Sequence, residues 1–323
     1  MKMIRWGIIG LGKIANSFAT DMQQVDNSII YAVASRSQEK ANDFGAKYNV
    51  AKCYDSYEKL AQDPQVDAIY IATPHVRHAQ DTLLCLTHNK AVLCEKPFAM
   101  NLQEVDSMIA KAKEHNVLLM EALWTRFMPH FKFVKEELET GRYGKVKSLH
   151  ADFSFKAPVN PDGRLYNKLL GGGSLLDIGI YPVFCALALL GKPESITAKG
   201  KIGKTQIDEE IEITFNYKTD TRAFLSSSIL KNTPTTATLV CDNGIVFLHS
   251  RFHQTDKVTT LLNGVKVEHD FSYNAKGYTF EIMHFADLLR AGKTESPLMS
   301  FEFSRMLIQT LDEIRELIGL HYA

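Results

Sequence analysis

No charge of one sign dominates this 323-residue chain: Lys plus Arg and Asp plus Glu each number 37, so the net charge is zero. The basic excess expected of a nucleic-acid binder is therefore missing. Cysteine is scarce, with Cys53, Cys85, Cys94, Cys185 and Cys241 scattered along the chain. They form neither a CxxC pair nor a Cys/His cluster, so no metal site is expected. An odd, dispersed set among apolar neighbours fits reduced thiols in a cytoplasmic protein. Long apolar runs are also lacking. The longest, "YPVFCALALL" from Tyr181, falls far short of a membrane span. The start, "MKMIRWGIIGLG", loosely mimics a secretory leader, but its apolar run is too short and is broken by glycines. Repeats and low-complexity segments are absent. What remains is 45% hydrophobic and 23% charged, the balance of an ordinary globular protein, with length enough for two cores.

The two halves differ in pattern. Up to residue 122, short apolar runs alternate with helix-length segments: "IRWGIIG", "IIYAVA", "AIYIAT", "AVLCE" and "VLLMEA" lie between stretches such as "SQEKANDFGAKY" and "LQEVDSMIAKAKEH". Nearly continuous apolar strands separated by helices predict a parallel sheet covered on both faces. From residue 123 to 323 the strands alternate instead. Leu149, Ala151, Phe153 and Phe155 share one face, as do Ile211, Ile213, Phe215 and Tyr217. That period of two predicts a large, mostly antiparallel open sheet with one face buried. Leu307, Leu311, Ile314 and Ile318 predict a closing helix. The expectation is α/β: a dinucleotide-binding domain over 1–122, then an α+β substrate and dimerisation domain over 123–323.

The first strand runs into "GLGKIA", a G-x-G-x-x-A turn opening a helix. Gly10 permits the tight turn and Gly12 lets the backbone approach a pyrophosphate. Lys13 and Ile14 lie in the same loop, and Ala15 lets helix and strand pack closely. The second strand ends at Ser35 and Arg36, where an NAD site usually carries a carboxylate; none appears before Glu39. A hydroxyl and a guanidinium suit a 2′-phosphate, so NADP is expected rather than NAD. "ATPHVRH" follows a further strand and puts Thr73, Pro74, His75 and His78 at the sheet's ligand-facing end. His78 reads chiefly as a local cap or packing residue.

"VLCEKPFAM" raises a sharper question. Glu95 and Lys96 sit at a strand exit, and Pro97 keeps Lys96 out of helical geometry. Neighbouring strand residues face opposite ways, so a simple Glu95–Lys96 surface pair is geometrically poor. A lysine aimed at a nicotinamide site could hold or polarise a substrate oxygen. The complementary chemistry is expected from "GGGSLLDIGIYP", the only glycine triplet in the chain. Asp177 and Tyr181 share a face if this segment is helical, and Pro182 is compatible only with a first turn. A tyrosine near a cation ionises more easily, which makes Tyr181 a candidate general base. The plainer alternative is a capping Asp177 and a packing Tyr181.

Taken together, "GLGKIA", "ATPHVRH", "CEKP" and "GGGSLLDIGIY" resemble the glucose–fructose oxidoreductase/inositol dehydrogenase/MocA-like dehydrogenases, in that family's order and spacing. The resemblance covers roughly the first 180 residues. It implies a Rossmann domain, an open-sheet domain with helices on one face, and NAD(P)-linked hydride transfer. It puts the catalytic lysine at Lys96 and the aspartate at Asp177. Many members have histidine where this chain has Tyr181. With "EALWTRFMP", the tyrosine is similar to the branch of dimeric trans-dihydrodiol dehydrogenase and NADP-linked D-xylose dehydrogenase. That resemblance implies Trp124 and Arg126 near nicotinamide and substrate, Glu95 beside the cofactor and Phe155 beside the substrate. Independently of the resemblance, the second half has many strands and few helices, so one face of its sheet stays partly apolar and a homodimer through that open face is expected. The reading is an NADP-dependent dehydrogenase of a sugar or cyclic diol. Alternatives are an NADPH-dependent carbonyl or imine reductase, a regulatory NADP-binding protein without turnover, and a glycosidase using tightly held NAD.

Overall fold

The apolar runs of the first half become six strands: β1 (Ile4–Ile9), β2 (Ser28–Ala34), β3 (Lys52–Tyr54), β4 (Ala68–Ile71), β5 (Ala91–Glu95) and β6 (Leu119–Ala122). They were traced in a computed structural model, which describes residues 2–322. Every pairing is parallel, in the order β3-β2-β1-β4-β5-β6. β4 and β5 are buried along their whole length, as strands covered on both faces must be. Only β3 has no counterpart in the sequence reading, because three residues are too few to show a pattern.

The helices of this unit are α1 (Lys13–Met22), α2 (Gln38–Tyr48), α3 (Tyr57–Gln62), α4 (His78–Thr87) and α5 (Leu102–His115). Their ends follow local chemistry. Ser37 caps α2 by accepting from Lys40 N, and Asn101 caps α5 by accepting from Glu104 N. Glu104 in turn accepts from the Met100 amide, a reciprocal box. Both helices stop at a left-handed asparagine, Asn49 and Asn116.

Two compact units result. The first runs through Phe127 and takes in Asn274–Ile308; the second comprises Met128–Tyr273 and the segment from Gln309 on. The first unit therefore regains α8 (Tyr278–Arg290) and the start of α9 (Phe301–Leu317), although the composition shift at residue 123 suggested a single boundary.

After α6 (Pro129–Glu139), the second unit builds an eight-stranded sheet from β7 (Val146–Ser154), β8 (Ser195–Ile202), β9 (Asp208–Asn216), β10 (Arg222–Ser228), β11 (Ala237–Cys241), β12 (Gly244–Leu248), β13 (Lys257–Leu262) and β14 (Val265–Asp270). The order is β14-β13-β12-β11-β7-β10-β9-β8. Only β7 and β10 pair in parallel. Leu149, Ala151, Ile211, Ile213, Phe215, Ala223 and Leu225 are buried. Phe224, between two of them, is exposed on the other face.

Against the buried face lies a helical segment with an unusual start. A π-helical turn, Leu175–Gly179, leads directly into α7 (Ile180–Leu190). Pro182 is the third residue of α7 and follows directly on the π turn, so its missing N–H falls where the helical ladder is already irregular. By length and composition the helical run Lys168–Leu190 could cross a membrane, but 83% of its apolar window is buried inside the protein, as in a core helix.

Candidate active site

The first unit brings its predicted residues to the carboxyl ends of its strands. Gly10 has φ +88, and a Cβ there would stand 2.6 Å from the backbone of Ala72 and Thr73, so glycine is required where β1 and β4 end side by side. Gly12 is the opposite case: a Cβ would meet nothing within 4 Å, leaving the mouth of the loop open. α1 begins at Lys13, with Gly12 at its cap and no acidic residue in its first turn. Its free N–H groups thus face the opening with no charge to repel an anion. Ile14 is largely exposed beside them. The Thr73 hydroxyl is buried without a hydrogen-bond partner. This open cradle and orphaned donor fit a dinucleotide pyrophosphate at the switch point between β1 and β4.

At the end of β2, the Ser35 hydroxyl accepts from the Ser37 amide at 3.3 Å. Arg36 is exposed, and no ion pair is recorded for it among the described residues. Its charge and that of Arg77 both reach Tyr57. Arg77 also lies over the Tyr57 ring at 5.8 Å and pairs with Asp81 at 2.5 Å. Arg77 escaped the sequence reading because nothing local distinguishes it from a solvated arginine.

The lysine loop is held from several sides. Lys96 N donates to Glu95 Oε2 at 3.2 Å, and the Lys96–Pro97 peptide is cis. Phe98 N donates to Glu121 Oε1 at 3.1 Å, and the Cys94 thiol reaches Phe98 O at 3.7 Å. Burial pushes the Glu121 carboxyl up to about 7. His78 ties the two loops together, with Nδ1 2.7 Å from Pro97 O and Nε2 2.8 Å from Thr73 O. Burial holds its pKa below the ordinary value, although two carbonyl acceptors favour the charged ring. Both ring nitrogens are thus engaged by backbone, which makes His78 a clamp between the Thr73 and Lys96 loops. His75, buried, packs edge-on to His78 at 5.7 Å, and Pro74 caps its short 3₁₀ turn.

Glu95 faces inward. Its Oε1 accepts from the Tyr70 hydroxyl, and burial raises its pKa against the lowering effects of Tyr70 and Lys96. Its two oxygens therefore bond within the unit's own core and loop. Trp124 and Arg126 lie in the 3₁₀ turn Trp124–Phe127. Trp124 stacks on Tyr278 at 4.8 Å with ring planes 10° apart, and Arg126 Nε donates to Leu298 O at 2.8 Å. Tyr278 comes from α8, far along the chain, where no sequence motif marks it.

In the second unit each glycine of the triplet has its own reason. Gly171 adopts φ +73 at the end of a 3₁₀ turn. A Cβ at Gly172 would stand 2.7–2.9 Å from the carbonyl oxygens of Leu165, Arg164 and Asn167. Gly173 has φ +132, and a Cβ there would collide with Asp208 Oδ1. The close approach expected of the triplet is thus made by the chain itself. Asp208 Oδ2 then accepts from Ser174 Oγ at 2.7 Å and Leu175 N at 2.6 Å, capping the segment that carries Asp177 and Tyr181. Burial raises Asp208 to about 6, against these bonds.

Asp177 and Tyr181 are both buried. Arg164 grips Asp177 through two bonds, Nη1–Oδ1 at 2.5 Å and Nη2–Oδ2 at 3.2 Å. The Tyr181 ring lies 5.6 Å from Phe153 and 4.9 Å from His253, and those two rings stack at 4.5 Å. Phe155, two residues beyond Phe153, packs with it on a small apolar cluster of Ala157, Tyr166, Ile178, Ile207 and Ile229. Arg164, Asp208 and His253 were invisible in the sequence, since each reaches the site from a separate segment.

An open phosphate loop on a parallel sheet in the order 3-2-1-4-5-6, with a clamped lysine at the end of β5, defines a nicotinamide-nucleotide-linked oxidoreductase. Residues 4–123 match the family model described as "Oxidoreductase family, NAD-binding Rossmann fold", and residues 131–247 match "GFO/IDH/MocA C-terminal domain". The chain belongs to the GFO/IDH/MocA oxidoreductase family. It is 38% identical to trans-1,2-dihydrobenzene-1,2-diol dehydrogenase of Xenopus laevis, over 98% of this chain and 99% of that protein. The Homo sapiens enzyme of the same name is 34% identical over 99% and 98%. In fold, the chain resembles an aldose-aldose oxidoreductase from Caulobacter crescentus complexed with glycerol, with a TM-score of 0.91, 21% identity and 98% of each chain covered. A 3-ketoreductase from Actinomadura kijaniata with NADP and TDP-benzene gives 0.89, 23% and 98% of each.

Proposed function

We propose that the protein is an NADP-dependent dehydrogenase that oxidises a secondary hydroxyl of a cyclic diol or sugar, or reduces the corresponding carbonyl. The carrying observation is Tyr181: a buried phenol, one turn from a bidentate Arg164–Asp177 pair, walled by the flat rings of Phe153 and His253. Such a wall suits a ring-shaped substrate, and the dihydrodiol dehydrogenases named above support that class. When bound, the nicotinamide gives or takes the hydride. Lys96 holds the reacting oxygen and stabilises negative charge on it, Tyr181 exchanges that oxygen's proton, and Asp177 orients its neighbours. Gly10, Gly12, Lys13, Ile14 and Thr73 hold the pyrophosphate region, while Pro74, His75, Trp124 and Arg126 line the nicotinamide side. Ser35 and Arg36 favour the 2′-phosphate of NADP, because no carboxylate precedes Glu39.

The working form is a homodimer joined through the open face of the second unit's sheet, where Phe224, Val265 and Val267 are exposed. The five free cysteines support a cytoplasmic setting. The deciding experiment is a panel of trans-dihydrobenzenediol, D-xylose and other sugars and polyols with NADP and NAD, followed by reduced-nicotinamide absorbance. Turnover of a ring diol or sugar with NADP is expected; absence of turnover across the panel, or a preference for NAD, would overturn this reading.

A further inference from the structure

We propose that Arg164 is a positioning residue that sets the ionisation of Tyr181 by neutralising Asp177, and that Gly172 is kept as glycine to seat the Arg164 loop. The inference rests on the reading of Tyr181 as the proton-exchanging group. Its geometric basis is a loop built with unusual care. Tyr166 N and Asn167 N donate to Gly163 O at 3.0 and 2.9 Å, Gly172 N to Asn167 O at 3.0 Å, and Gly173 N to Leu165 O at 2.9 Å. Leu165 and Tyr166 anchor the loop in the apolar cluster around Ile178. Gly172 must be glycine because the carbonyls of Arg164, Leu165 and Asn167 lie directly over it. The Tyr322 hydroxyl fastens the same turn by donating to Gly172 O at 2.5 Å.

All this construction delivers one guanidinium to one carboxylate. A single pair with a half-exposed arginine adds little to stability, so stability alone does not account for the seat. The chemistry does. Asp177 is buried four residues before Tyr181, and an unpaired carboxylate there would oppose formation of the phenolate. Both its oxygens are instead engaged by the planar fork of Arg164, which only arginine can present. Burial works against the Arg164 charge, yet Asp177 outweighs it and holds the guanidinium pKa above its ordinary value. The Arg164 guanidinium therefore keeps its charge opposite the Asp177 carboxylate. His253, against the Tyr181 ring, and Asp208, at the cap, are further titratable groups facing this segment.

The test compares pH profiles of kcat/KM for alcohol oxidation in wild type, Arg164→Gln, Arg164→Lys, and the double variant Arg164→Gln/Asp177→Asn. NADP affinity and thermal midpoint are measured on each. In Arg164→Gln the rising limb should move alkaline by about one pH unit, the low end of a charged neighbour's effect. NADP affinity should hold. The double variant, with the Asp177 charge removed as well, should return the limb to its original position. Arg164→Lys, which keeps the charge but loses the fork, should leave the limb in place and lower kcat. If Arg164→Gln does not fold, Asp177→Asn carries the test, since it leaves the Arg164 charge uncancelled and should move the limb acid, an unmoved limb again overturning the proposal. An unmoved limb in a folded Arg164→Gln, or a double variant that does not restore it, would show Arg164 to be only a loop anchor. A Tyr181→Phe enzyme of near-normal turnover would instead remove the catalytic reading on which the proposal stands, and the proposal with it.

Discussion

Asp208 Oδ2 accepts the Leu175 amide at 2.6 Å, so a residue at the head of β9 fixes where the helix carrying Asp177 and Tyr181 begins. Its other oxygen occupies the space a side chain at residue 173 would need. Gly173→Ala should therefore be doubly costly, through a left-handed backbone and a steric collision. Each effect is worth about 1–3 kcal/mol. Denaturant midpoints should fall accordingly, with kcat reduced and NADP affinity little changed. A variant as stable as wild type would mean the cap tolerates displacement.

The cofactor preference is expected to depend on Arg36. Arg36→Ala removes a charge-assisted contact worth about 1.5–3 kcal/mol, or roughly one to two decades in affinity. NADP binding should weaken by that factor while NAD binding stays nearly constant. Titration of both nucleotides into both proteins reads this directly; equal loss for the two would assign Arg36 to the shared part of the cofactor.

Much of this was legible beforehand, and the rest was hidden for a physical reason. Gly10 and Gly12 could be read because a βα phosphate turn is local, and its helix start follows within three residues. The caps Ser37 and Asn101 are local in the same sense. Lys96 could be singled out because a charge at a strand exit conflicts with its surroundings. The triplet was legible as a close approach, but not what approaches: Asp208 and Arg164 are brought there by the tertiary fold. His253 and Tyr278 likewise acquire meaning only through the rings they face. The return of the chain to the first unit at Asn274 leaves no mark either, since an amphipathic helix has the same period whichever core it covers.

Glu281 offers a test of stability against pH. It is fully buried on α8, and neither carboxylate oxygen has a hydrogen-bond partner. Burial first, then the charges of Glu95 and Asp21, raise its pKa well above the ordinary value. A carboxyl raised on folding favours the folded state at low pH. That contribution is complete below the unfolded pKa of about 4.3 and is lost as pH climbs toward the folded value. Glu281→Met fills similar space without a polar group and should stabilise the protein by about 1–3 kcal/mol near pH 8, with a smaller gain at pH 5. Thermal midpoints at the two pH values decide it; a gain that is larger at pH 5 would reverse the sign of the argument.

The sharpest expectation concerns Lys96 and Tyr181 as a catalytic unit. Lys96 is presented by a loop held at Pro97 O by His78 and at Phe98 N by Glu121, so its position does not depend on its own side chain. Tyr181 is likewise placed by a capped helix start, with Phe153 and His253 packed on its ring. Lys96→Met and Tyr181→Phe should therefore leave the fold intact. General acid–base assistance is worth about 10²–10⁴-fold, and each substitution should cut kcat on that scale while sparing most of the NADP affinity. A lysine that stabilises the oxygen whose proton Tyr181 exchanges loses its purpose when the tyrosine is gone. The double variant should accordingly be little worse than the poorer single one. Fully multiplicative losses would mean that the two residues serve separate steps, and near-normal turnover in Lys96→Met, with chemistry rate-limiting, would reduce the lysine to a feature of the turn.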